Sequence, residues 1–321
     1  MEHVNYEQLI AYAIKAPSGH NSQPWKFKIE GNVVEIYPDY SHELPVVDPD
    51  HRELFISLGC AAENLVLAGK AWGLNARVYT PSGVDDAIRV EFTKGLALDA
   101  HWLLLMDKRQ SNRHKYTGKP IPQADLTRLQ NVEGEVGIKA KIVTDQSAKL
   151  QLVELVQEAN SEQMKNQAYK DELITWMRFN KREARTKGDG LTYAVLGNPA
   201  LPFRAIGSMI VKSFLKPDKQ NSRDNALLDS SSAFMVFSIQ KNDKTNWIKL
   251  GRYFERIALT ATELGIVNSH YNQPFETKSL EGKVNSLTFL NGSYPCLMIR
   301  LGYAKPMPYS PRRSIGQAWY T

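Results

Sequence analysis

The run from Leu54 to Trp72 is apolar on nearly every face of a helix, with Gly59, Ala61, Ala62, Ala68, Gly69 and Ala71 set into it. A helix that is apolar all round must be buried all round. Its small residues let a second helix come close. The second helix can be read from the chain itself. Leu58-Gly59-(x)3-Glu63-(x)3-Leu67-(x)5-Gly73-Leu74 lies over Leu250-Gly251-(x)3-Glu255-(x)3-Leu259-(x)5-Gly265-Ile266 at a constant offset of 192. Tyr79 then falls on Tyr271. Two tandem copies of one fold leave such spacing behind. The expectation is a buried helix pair at the centre of an intramolecular pseudo-dimer.

The rest of the pattern alternates helices and strands. Tyr6, Leu9, Ile10, Ala13 and Ile14 are at helical spacing, and Pro17 ends that helix. Trp25, Phe27 and Ile29 alternate with Lys26, Lys28 and Glu30, and Gly31-Asn32 turns the chain into Val33–Tyr37. Trp25 is therefore expected in the core. Asp48-Pro49 reads as a helix start, with Pro at an early position. The second half begins near Met106. Residues 147–183 look largely helical, and 184–225 hold helix breakers and basic residues in a stretch too long and apolar for a linker. Ala233–Ile239 and Cys296–Leu301 read as core strands, the latter introduced by Asn291-Gly292. These elements give an α+β, three-layer expectation, in a half over residues 1–105 and a half over residues 106–321, with a lid at about 184–225.

With 321 residues and 42% hydrophobic content the chain can bury a sizeable core. Its net charge of +6 is spread out, without a long run of like charges. No nucleic-acid-binding motif accompanies it, and no nucleic-acid partner is expected. A mild basic excess also suits an anionic cofactor. Cys60 and Cys296 are far apart and set among apolar residues, so buried free thiols in a reducing compartment are expected. The segment Met1-Glu2-His3-Val4-Asn5 lacks a signal-peptide pattern, and no apolar run reaches spanning length. The expected location is the cytoplasm, with no membrane partner.

Chemistry concentrates in Ala16-Pro17-Ser18-Gly19-His20-Asn21-Ser22-Gln23-Pro24-Trp25. Pro17 and Gly19 let backbone N–H groups approach a ligand. Asn21 and Gln23 each offer a donor beside an acceptor, which suits an imide edge of a planar heterocycle such as a flavin. Arg109, Ser111 and Arg113 follow at i, i+2 and i+4. In an extended segment they share a face and can converge on one phosphate. Arg312 and Arg313 supply a second basic pair. The usual signatures of nucleotide-binding glycine loops, zinc proteases and serine hydrolases are absent, and neither catalytic nor metal-ligating residues are assigned.

The string A-P-S-G-H-N-S-Q-P-W resembles the flavin loop of nitroreductase-family flavoproteins. Arg109-Gln110-Ser111-Asn112-Arg113 resembles that family's R-x-S-x-R phosphate motif, and Gly302-Tyr303 with Pro311-Arg312-Arg313-Ser314 resembles its C-terminal end. The motif order, loop first, resembles the fused Acg-like branch, in which one chain mimics a dimer. The resemblance implies one FMN site. Pro17, Ser18, Gly19, His20 and Asn21 would lie at the ring and ribityl, with Arg109, Ser111, Arg113 and one of Arg312 and Arg313 at the phosphate. His270 or Tyr271 would pack on the ring. It further implies NADH or NADPH as donor and ping-pong hydride transfer to a nitroaromatic, quinone or related small acceptor. The alternative is an FMN-sequestering protein with a closed lid. Monomer and homodimer are both compatible.

Overall fold

The computed structural model describes residues 5–81, 85–96, 100–287 and 293–320. The Asn291-Gly292 turn lies outside the described residues, as does the N-terminal Met1–Val4. In chain order the elements are α1 (Tyr6–Ala13), β1 (Trp25–Glu30), β2 (Val33–Pro38), α2 (Arg52–Ala71), β3 (Leu74–Tyr79), β4 (Ile88–Lys94) and α3 (His101–Lys108). Then come α4 (Gln123–Gln130), β5 (Ile138–Val143), α5 (Gln146–Lys165), α6 (Gln167–Trp176), β6 (Met177–Arg178), α7 (Lys181–Lys187), β7 (Leu191–Thr192), α8 (Arg204–Phe214) and α9 (Pro217–Asp229). The chain continues through β8 (Ala233–Ile239), α10 (Lys244–Glu263), β9 (Val267–His270), α11 (Gln273–Glu276), α12 (Glu281–Asn285) and β10 (Tyr294–Gly302). The class is α+β, as the alternation predicts.

Two compact units divide the chain. The first comprises Met1–Arg109, Asp243–Glu263 and Pro311–Thr321, and the second comprises Gln110–Asn242 and Leu264–Ser310. One boundary falls between Arg109 and Gln110. Helix α10 and the C-terminal tail, by contrast, return to the first unit.

In the first unit an antiparallel sheet runs β1-β2-β4-β3. Its inward face carries Trp25, Phe27, Ile36, Val90 and Phe92, all fully buried, so Trp25 is a core residue. Gly69 of α2 makes room for the Phe92 ring, since a Cβ there would lie 2.5 Å from Phe92 Cε1. The tail completes the sheet: Trp319 bridges Phe27 in parallel, and Tyr320 N–H donates to Phe27 C=O at 2.9 Å. The open edge of β1 is thereby covered.

The two helices paired by the sequence repeat pack on each other inside this unit, α2 against α10. A Cβ on Gly59 would stand 2.2 Å from the carbonyl oxygen of Ile248, and one on Gly251 would stand 2.0 Å from that of Ile56. Moving along the chain by the repeat offset converts Gly59 into Gly251 and Ile56 into Ile248. The contact is therefore reciprocal, as in an isologous two-fold interface. Cys60, buried and free, donates its S–H to Gly251 C=O at 3.2 Å.

One boundary differs from the sequence reading. Helix α2 starts at Arg52, not at Pro49, because His51 takes a left-handed conformation just before it. Asp48 still caps the helix. Its carboxylate accepts from Glu53 N–H at 3.0 Å and from Leu54 N–H at 2.9 Å.

In the second unit the antiparallel sheet runs β5-β8-β10-β9. Helices α5 and α9 lie on it through Leu152, Val156, Leu228, Phe234 and Val236. The segment between α5 and α9 builds its own small core from Met164, Ile174, Met177, Phe179 and Leu215. A short parallel pairing of β6 with β7 and a buried Arg178–Asp189 ion pair at 2.6 Å tie that segment together.

Candidate functional site

The loop after α1 is held in an uncommon backbone form. His20, Asn21 and Gln23 all have positive φ, at 49°, 57° and 56°. Left-handed backbone at three non-glycine residues within four positions is strain that the surroundings must impose. The restraints are visible. Ser18 Oγ accepts from Gln23 N–H at 2.9 Å, and His42 Nδ1 lies 2.7 Å from Ser22 C=O. Asn21 and Gln23 are buried and reach the C-terminal tail. Asn21 Nδ2 donates to Pro311 C=O at 3.1 Å, and Gln23 Oε1 accepts from Arg313 N–H at 2.9 Å.

The two tail arginines separate into different roles. Arg313 is buried, and its guanidinium is fully engaged with Gln23 C=O at 2.8 Å, Gln317 C=O at 2.7 Å and the Asp39 carboxylate at 3.1 Å. It pins the tail to the loop. Arg312 instead donates to Asn21 Oδ1 and, at 3.0 Å, to Lys15 C=O. Arg109 donates to the same Lys15 carbonyl at 2.7 Å. One carbonyl thus holds two guanidiniums side by side. Burial and then the Arg109 charge push the Arg312 guanidinium down to about 9.

One buried carboxylate faces this pair. Arg109 Nε lies 3.2 Å from Glu255 Oε1, with both side chains almost wholly buried. The contact is an ion pair out of hydrogen-bond geometry, since Arg109 Nε and both Glu255 oxygens lack hydrogen-bond partners. Burial raises the Glu255 carboxyl, and Arg109 opposes that shift. Two cations against one buried anion leave a positive excess, and poorly directed hydrogen bonds leave donor capacity. Such a cluster fits an anion.

Ser111, Arg113, His270 and Tyr271 belong to the second unit. Ser111 forms an isolated bridge with Asn268. Between Ser111 and Arg113, Asn112 is fully buried and anchors the segment. It donates from N–H to Asn268 C=O at 2.7 Å and from Nδ2 to Lys305 C=O at 2.8 Å. Arg113 N–H meets Met307 Sδ at 3.1 Å, and no acceptor lies against its guanidinium among the described residues. Burial, then the Arg223 charge, lower the Arg113 guanidinium. His270 ends β9, paired with Ile299. Tyr271 is a core residue whose OH donates to Asp224 Oδ1 at 3.4 Å. Pro17 and Gly19 stay in the first unit with the loop, where a Cβ on Gly19 would lie 2.9 Å from Leu44 Cδ1.

Sequence reasoning missed two charged groups. Glu255 is part of the repeat, and its alignment with Glu63 of the apolar helix α2 was itself the signal. Arg300 is fully buried in β10, stacks at 3.7 Å over the Tyr116 ring and donates to Leu227, Asn112 and His114 carbonyls. A lone arginine in a core strand was the available hint.

No protein-family model matches the chain. Full-length comparison does find relatives. The chain is 24% identical over 318 residues to a protein provisionally named NAD(P)H nitroreductase Rv3131 from Mycobacterium tuberculosis H37Rv, covering 96% of this chain and 89% of that one. It is 22% identical over 328 residues to a protein provisionally named NAD(P)H nitroreductase acg from the same organism, covering 97% and 94%. The chain is thus similar, over nearly its whole length, to proteins provisionally named NAD(P)H nitroreductases. Its similarity to these nitroreductases runs through both compact units, not through one motif. Among solved structures, the FMN-dependent nitroreductase NfnB of Mycobacterium smegmatis, in complex with NADPH, aligns at 12% identity over 69% of this chain and 97% of that one, with a TM-score of 0.45.

Proposed function

We propose that this chain is a nitroreductase-family, FMN-dependent oxidoreductase. NADH or NADPH would be the donor, and a nitroaromatic, quinone or related small molecule the acceptor, in ping-pong order. The observation that carries the reading is the first unit's arginine cluster: Arg109 and Arg312 share the Lys15 carbonyl beside a strained, amide-bearing loop. Relatives along 96% of the chain that carry NAD(P)H nitroreductase names support it.

The residues of the first unit fit the cofactor by charge and by donor type. Arg312 and Arg109 would hold the phosphate, while Arg313, fully engaged with Asp39 and Gln23, would fix the tail that presents Arg312. Ser18, Gly19 and His20 would offer backbone N–H groups, and Asn21 its side-chain amide, to the ring and ribityl, with Pro17 shaping the loop. Ser111 and Arg113 are proposed as phosphate ligands, and His270 as a ring contact, on the sequence motif alone. FMN, when bound, supplies the hydride chemistry, so no protein acid or base is required. A cytoplasmic monomer or homodimer, with residues 184–225 acting as a lid, completes the proposal.

The test is an absorbance spectrum of the purified protein, then anaerobic addition of NADH and NADPH. A flavin spectrum that bleaches with either nucleotide is the expected result. A flavin that stays oxidised with both, yet reduces with dithionite, would favour the sequestering alternative. A colourless protein that takes up no added FMN would remove the proposal. Arg312→Ala should weaken FMN retention at least tenfold, about 1.4 kcal/mol, with the far-UV spectrum unchanged.

A further inference from the structure

Helix α8 presents an apolar stripe to solvent. Phe203, directly before it, and Ile206, Ile210 and Phe214 follow at i, i+3, i+7 and i+11, with Met209 beside them. They are exposed to 66%, 39%, 39% and 58%, and Met209 to 66%. The same helix buries a different stripe. Gly207 admits the Phe179 ring, where a Cβ would lie 2.4 Å from Phe179 Cδ1, and Val211 packs on the small core with Leu215. The helix is thus anchored by one half of its apolar arc and leaves the other half open. Exposed aromatic and aliphatic residues in one contiguous stripe mark an interaction surface.

The charge around the stripe decides what can cover it. From Lys181 to Lys219 the chain carries eight Lys and Arg against three Asp and Glu. One of those acids, Asp189, is buried on Arg178. Lys212, Lys216 and Lys219 are exposed; Lys212 Nζ lies 3.6 Å from the exposed Asp171 carboxylate, and Lys219 Nζ stands 4.2 Å over the Phe214 ring. Beside Phe203 a groove of about 760 Å³ is lined by Lys181, Arg182 and Lys187. A second copy of this chain docking symmetrically would set these cations against themselves. An anionic lipid surface accepts both components: acyl chains take the apolar stripe and headgroup phosphates take the lysines.

We propose that α8 and its basic flanks dock this chain peripherally on an anionic phospholipid bilayer. Phe203, Met209 and Phe214 enter the headgroup–acyl boundary, and Lys212, Lys216 and Lys219 meet the phosphates. This revises the expectation of no membrane partner, which weighed spanning runs alone; α2 is in fact long and apolar enough to span by length and composition, but it is buried in the first unit. It is independent of the flavin reading and stands or falls without it.

The experiment is co-sedimentation of the full chain with phosphatidylcholine vesicles, with and without phosphatidylglycerol. The chain should pellet with the anionic vesicles only, and added salt should release it. Phe203→Ser with Phe214→Ser, and separately Lys216→Glu with Lys219→Glu, should each reduce partitioning about tenfold or more. All four side chains are exposed, so thermal unfolding of both variants should match the wild type. Failure to pellet at low salt, or variants that pellet like the wild type, would overturn the proposal. So would a concentration-dependent dimer that the Phe203→Ser, Phe214→Ser variant abolishes, which would assign the stripe to a second copy.

Discussion

At the scale of single residues, neighbouring side chains of one type do unlike work. Arg312 and Arg313 are adjacent, yet one is fully engaged by a carboxylate and two carbonyls while the other sits beside a like charge. Arg313→Gln leaves buried Asp39 with only the more distant Lys26 Nζ, at 3.9 Å, as a paired cation. Breaking a buried pair from one side costs about 3–5 kcal/mol, so a loss of that order is expected in denaturant unfolding. Asp48 offers a pH test. Burial and then the Glu53 charge push its carboxyl up to about 6, although two backbone N–H groups favour the ionised form. The folded state therefore takes up the proton before the unfolded state does. This contribution to stability is complete below about pH 4 and is lost as pH rises through about 6. Asp48→Asn should accordingly gain stability relative to wild type between pH 4 and pH 7, as read by chemical unfolding at each pH.

At the scale of elements, the α2–α10 contact carries the first unit. Backbone meets backbone at Gly59 and Gly251, so neither position has a flexible neighbour that can yield. Gly59→Ala and Gly251→Ala should each cost about 1–3 kcal/mol or more through overpacking. Because they press on one interface, the double variant should cost less than the sum, and a double-mutant cycle reads that coupling. Much of this level was legible in advance. The all-round apolar helix, its repeat partner, the first hairpin and the strands β8 and β10 follow from periodicity and spacing. The start of α2 did not, because a left-handed His51 postpones the helix, and single-residue conformations of that kind leave no periodic trace. The segment between α5 and α9 was legible only as more than a linker. Its small core joins residues that are far apart along the chain, such as Met164 and Leu215.

At the scale of the whole molecule, the C-terminal tail has consequences out of proportion to its length. It covers the edge of β1 and supplies Arg312 and Arg313 to the loop after α1. A chain ending at Ser310 should lose on the order of 5 kcal/mol of stability in the first unit, from the lost Arg313–Asp39 pair and lost apolar burial. It should also retain added FMN poorly even well below its own Tm. Normal flavin uptake by that truncated chain would show that Arg312 is dispensable for the cofactor.

The sequence by itself determined which helices are buried, where the hairpin turns, and which short segments carry amides and arginines. Those properties are local or periodic, so composition and spacing encode them. Only the tertiary structure decided that α10 and the tail belong with the first unit, that Arg313 is a pin and Arg312 a neighbour of Arg109, and that Glu255 faces them. Each of those outcomes depends on charges brought together across more than 100 residues of chain. The energy of a buried ion follows from what surrounds it in space, which its sequence neighbours do not specify.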